Sequence, residues 1–93
     1  MMERPAVIEI ERRDGAYRIE LSERETGRSL GTRTFERTEA TETPYKHVCK
    51  LRLPVESEPT IDIESDNEGD RIVLRTAERT CYRHALPTPV AAN

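Results

Sequence analysis

Two runs of strict alternation, Val7-Ile8-Glu9-Ile10-Glu11 and Tyr17-Arg18-Ile19-Glu20-Leu21, flank the dipeptide Asp14-Gly15. No other feature of this chain narrows its fold as far. A period of two is the mark of a strand with one buried face. Asp-Gly suits a two-residue type I′ turn, whose central residues both need positive φ. The register that follows sets Ile8 opposite Leu21, Ile10 opposite Ile19 and Arg12 opposite Tyr17 on one face. On the other face Glu11 meets Arg18, and Glu9 meets Glu20 in a mild repulsion. A slip of one residue would scatter the apolar set, so one hairpin is specified.

The same reasoning extends along the chain. Gly27 in Glu25-Thr26-Gly27-Arg28 fits the left-handed position of a longer hairpin loop. A third strand over 30–37 follows. Leu30, Thr32 and Thr34 fall on one face, Gly31, Arg33 and Phe35 on the other, and a three-residue loop brings Phe35 beside Tyr17. The Thr- and Glu-rich stretch within 38–46 reads as an exposed loop. His47, Cys49, Leu51 and Leu53 then share one strand face, with Val48, Lys50 and Arg52 on a wet face. Pro54 and Pro59 exclude helix between them. Thr60–Glu64 and Arg71–Arg75 form a second hairpin, pairing Ile63 with Ile72, Ile61 with Leu74 and Glu64 with Arg71 across a loop at 65–70. Over 77–86, Ala77, Cys81 and Ala85 recur at helical spacing, so a short C-terminal helix competes there with a further strand. Residues 1–5 and 87–93 read as loose tails.

The fold class is therefore all-β: a small antiparallel sandwich or partly open barrel of five to six strands, in one domain spanning 1–93. The core is thin. Only 18 of the 93 residues are Leu, Ile, Val or Phe, and 35% are charged. Disorder would also want a large net charge, whereas 15 basic and 18 acidic residues leave −3. The expected core is Ile8, Ile10, Ile19, Leu21, Leu51, Leu53, Ile61, Ile63, Ile72 and Leu74.

Composition excludes several classes. No run approaches the ~20 apolar residues of a membrane span, and the N-terminus lacks the shape of a secretory signal, which points to the cytoplasm. Two cysteines are too few for a disulfide scaffold. The arginines of the first half are nearly matched by acids, and aromatics are 4% of the chain, so neither the field nor the stacking platform for nucleic acid is present.

Three sets of residues carry candidate chemistry. His47 and Cys49, ~6–7 Å apart on one strand face, together with Cys81-x-x-His84, make a possible Cys2His2 zinc set. The more ordinary reading has Cys49 as a buried thiol in a fold that needs no metal or other cofactor. The second set is an acidic run, Glu56, Glu58, Asp62, Glu64, Asp66, Glu68 and Asp70, with no base between 55 and 70. It offers a surface for a basic partner or a mimic of nucleic-acid phosphates. Its likeness to a calcium loop fails at the closing position, where Arg75 stands in place of Glu. The third set is the 30–37 strand as a sheet edge: Leu30, Thr32, Arg33, Thr34, Phe35 and Arg37. No catalytic constellation stands out. The sequence thus reads as a non-catalytic protein-binding or assembly module that forms a homodimer or small homo-oligomer and completes a thin core by association. It does not name the partner.

Overall fold

A computed structural model describes residues 2–13, 15–36, 45–55 and 58–86. The chain is all-β, with seven strands: β1 (Glu3–Arg13), β2 (Ala16–Glu23), β3 (Ser29–Glu36), β4 (Tyr45–Pro54), β5 (Thr60–Asp66), β6 (Gly69–Arg75) and β7 (Thr80–Ala85). They make two antiparallel sheets, ordered β3-β2-β1-β4 and β5-β6-β7. The sheets face each other as a small sandwich, β3 lying against β5 and β4 against β7.

The first hairpin has the expected register, Ile8 with Leu21, Ile10 with Ile19 and Arg12 with Tyr17. Gly15 takes a φ of 76°, a left-handed value that an L side chain resists; Asp14 lies outside the described residues. The Glu9–Glu20 repulsion is relieved by cations, Lys46 Nζ at 3.3 Å from Glu9 and Arg18 Nη2 at 3.4 Å from Glu20. β1 is a central strand, yet it contains Pro5. The Pro5 carbonyl accepts from the Arg24 N–H, so the missing Pro5 donor falls at the very end of the β2 ladder and away from β4, where it costs the sheet least.

β3 pairs Phe35 with Tyr17 as expected, and the two rings stack at 5.3 Å. The register shifts between Leu21 and Ser22. Leu30 consequently packs against the core rather than sharing an outer face with Thr32 and Thr34, because an inserted residue reverses facing.

The second hairpin pairs Ile63 with Ile72, Ile61 with Leu74 and Glu64 with Arg71. Its turn is tighter than a 65–70 loop: Ser65 and Asp66 continue β5, Gly69 and Asp70 begin β6, and Asp66 pairs with Gly69. Of the two alternatives over 77–86 the strand is the one that forms, and no helix occurs among the described residues: Thr80–Ala85 is β7, paired to β6. The small residues at helical spacing lose to the strand preference of Cys81-Tyr82 and the open flank of β6. The tail expected over 1–5 is strand from Glu3 onward, and the loop expected over 38–46 gives way to β4 at Tyr45. Residues 38–44 and 87–93 lie outside the described residues.

Ile8, Ile10, Ile19, Leu21, Leu53, Ile72 and Leu74 are fully buried, and Ile61 nearly so. Leu51 and Ile63 are only half-buried, since both sit toward open flanks of the sandwich. Ala6, Tyr17 and Leu86 complete the core. Val73 has no exposed surface although it belongs to the opposite face of β6. Arg71 and Arg75 flank it there, and its cross-strand neighbours are Asp62 and Arg83. Long arginine stems cover apolar surface while their heads stay in water.

Candidate functional site

Two sites stand out: the seam where β4 meets β7, and the free edge of β3. The seam is built by two copies of one short pattern, Tyr45-Lys46-His47 on β4 and Tyr82-Arg83-His84 on β7. Alternation places both tyrosines and both histidines inward and the Lys or Arg between them outward. The strands cross-match. The Tyr45 hydroxyl is hydrogen-bonded to His84 Nε2, and the Tyr82 hydroxyl lies 2.8 Å from His47 Nε2. The two imidazoles stack, with ring centres 3.9 Å apart and planes 15° apart. Tyr17 meets Tyr45 edge-on at 6.3 Å. Burial, and then the charge of His47, pushes the pKa of His84 down. Burial and the Cys49 thiol push the Tyr82 hydroxyl up, and burial does the same at Tyr45. His84, Tyr82 and Tyr45 are therefore favoured in their neutral forms.

Of the expected zinc set, His47 and His84 meet, but face to face, with each Nε2 taken by a phenol. Cys49 is half-buried on β4, its thiol 3.5 Å from the Lys50 carbonyl, and Cys81 is half-buried with its thiol 3.9 Å from the Arg79 carbonyl. Among the described residues no three His, Cys, Asp or Glu side chains gather to hold a metal ion. Sequence reasoning missed the tyrosines; the signal was the repeated Tyr-x-His, which passes unnoticed when histidines are scanned only against cysteines.

The acidic run does not form a single field. Asp62, Glu64 and Asp66 lie on the outer face of β5, where pairing with β6 supplies bases that the run itself lacks. Arg71 binds Glu64 and Asp66, and Arg75 binds Asp62 and Glu64. These arginines hold the carboxyls of Glu64 and Asp66 below the usual range. Asp70 is buried, accepting a 2.5 Å bond from the Ser65 hydroxyl. Glu58 and Glu68 are exposed, and Glu56 lies outside the described residues.

The edge of β3 follows from backbone geometry. The Arg24 N–H of the turn after β2 bonds toward β1, at Pro5, whereas Glu23 bonds toward the β3 side, at Gly27 and Arg28. Because the direction alternates along a strand, Tyr17, Ile19 and Leu21 also bond toward β3. Their partners Phe35, Arg33 and Gly31 bond back. Thr32 and Thr34 therefore turn their N–H and C=O groups outward, where no described strand pairs with them. Arg33 reaches inward instead, donating at 2.8 Å to the Ile61 carbonyl with Asp62 at 3.8 Å. Arg37 lies outside the described residues.

Comparison with protein families, with curated proteins and with solved structures finds no match.

Proposed function

We propose that this domain is a non-catalytic assembly module whose partner, a second copy of the chain, adds a strand to β3. The observation that carries the reading is the outward backbone of Thr32 and Thr34. An unpaired edge is a template for another strand, and natural sheets usually protect theirs. Among the described strands, three of the four edges carry protection. β4 presents Lys46, Lys50 and Arg52 on its exposed face, and cations on an edge oppose self-pairing. β5 has its Ile61 carbonyl occupied by Arg33. β7 is short, and its ladder with β6 is irregular at Leu74/Arg75. β3 presents small, uncharged Thr32 and Thr34. A thin core adds a reason for association, since burial at a two-fold interface extends it.

The non-catalytic part of the reading draws support from the seam, where both imidazoles are committed to phenols. Amide hydrogen exchange tests the proposal. In concentrated protein the Thr32 and Thr34 amides exchange slowly, and on dilution they speed up while Arg33 does not. Fast exchange of both amides at every concentration, with a monomer in sedimentation, refutes it.

A further inference from the structure

We infer that the stacked His47 and His84 form an acid-operated latch between the two sheets, closed while both rings are neutral and released when they take up protons. The two rings come from different sheets and meet where β4 faces β7. Stacking at 3.9 Å suits neutral imidazoles. Two imidazolium ions at that separation repel each other in a partly buried site, where water screens them less than at the open surface. Each Nε2 also has a fixed partner. A neutral ring can accept the phenol proton there, whereas an imidazolium can only donate, so protonation of each ring reverses its own Tyr–His bond. The cluster is thus bistable in the sense a switch requires.

The surrounding groups set its direction. Tyr45 and Cys49 flank His47 on β4, and Tyr82 flanks His84 on β7, with Cys81 beside it. On β2, Tyr17 packs against Tyr45. Across from His47 on β1 is Ile10, and two residues further on the same face is Arg12, its guanidinium 5.7 Å from the Tyr17 ring centre. Across from His84 on β6 is Ile72, and two residues away on that face is buried Asp70, tied to Ser65. At His84 the second histidine opposes protonation. Burial adds to the opposition, and the lowered pKa of His84 agrees with the balance. The proton on His84 therefore enters only below the ordinary histidine range, and the strain it creates falls on the β4–β7 contact. The half-buried thiols of Cys49 and Cys81 flank that contact and report its opening.

The test follows the two histidines by NMR and the two thiols with a pyridyl disulfide from pH 7.5 to pH 5, using wild type, His84→Gln and His47→Gln. In wild type, one imidazole titrates below the ordinary histidine pKa, and thiol labelling speeds up at least tenfold as it does so. In His47→Gln, His84 titrates nearer its ordinary value, and in both variants the acid-induced acceleration falls to within about threefold of the rate at pH 7.5. Two imidazoles that titrate independently at the ordinary value in wild type overturn the latch. So does thiol labelling that accelerates equally in wild type and in both variants. Two variants are used so that one that folds poorly leaves the other to decide.

Discussion

Truncation of Ile72 tests the packing of the sandwich most directly. Ile72 lies in the middle of the smaller sheet, between Ile63 on β5 and His84 on β7, and has no exposed surface. Ile72→Ala removes Cγ1, Cγ2 and Cδ1. At ~0.8 kcal/mol per buried CH2 the transfer loss is roughly 2–2.5 kcal/mol. The cavity raises this to about 3–4 kcal/mol, since neighbours on two sheets relax only in part. A domain of this size holds ~5–15 kcal/mol in all. Each kcal/mol lowers the melting temperature by ~4–8 °C at this length, so the midpoint drops by ~12–30 °C. Ile63→Ala removes the same atoms from the cross-strand neighbour. Ile63 is half-buried, and its loss is about 1–2 kcal/mol. Thermal and urea denaturation followed by circular dichroism measure both. Equal losses at the two positions, or a loss below ~1 kcal/mol at Ile72, would show that β6 does not face the larger sheet as described.

Other outcomes are expected from the seam and the edge. His84 has its folded pKa below the unfolded ~6.5, so the stability it permits is complete above pH 6.5 and is lost as pH falls below that toward the folded value. The midpoint of the wild type accordingly drops between pH 7.5 and pH 5, and that of His84→Gln drops less; parallel curves refute the assignment. Glu3, Glu64 and Asp66, whose arginine partners lower their pKa values, contribute with the same sign in a more acidic window, keeping their effect above pH ~4.5 and losing it only in stronger acid. Thr34→Pro removes a donor that faces outward. It weakens self-association in sedimentation while changing the monomer's melting point by less than ~1 kcal/mol equivalent; a collapse of the monomer would show that Thr34 bonds to β2. A strong chelator leaves the circular dichroism spectrum unchanged, and a loss of structure that zinc restores contradicts this.

The strands were readable where two signals coincided. Val7–Leu21 combined alternation with a turn dipeptide, and its register held from Ala6–Glu23 to Arg13–Ala16. Ile61 and Ile72 were found by the same logic. Where a signal stood alone, it misled. Ala77, Cys81 and Ala85 match a helical period, but spacing of small residues carries little energy beside the unsatisfied flank of β6. Val73 is absent from the expected core because alternation cannot show that arginines will lie across it. The acidic run looked unopposed because charges were counted along the chain, whereas Arg71 and Arg75 reach Glu64 and Asp62 across it. The Tyr–His seam unites residues 35 and 39 positions apart. Only knowledge that β4 lies over β7 brings them together.

The order of the strands has a consequence for how the chain is made. The larger sheet uses Glu3–Pro54 and the smaller one Thr60–Ala85, so neither borrows a strand from the other's stretch of sequence. A ribosome therefore releases a complete four-stranded sheet first, with Ile8, Ile10, Ile19 and Leu21 bare to water on one side. The covering sheet follows as a pair of successive hairpins, the quickest β-structure to form because each closure is short. Until Leu86 has emerged and bonded to Asp70, that bare face is the nascent chain's main hazard for sticking to its neighbours. A nick within the 55–59 link, by the same logic, yields two fragments that each hold one whole sheet and find each other through their apolar sides.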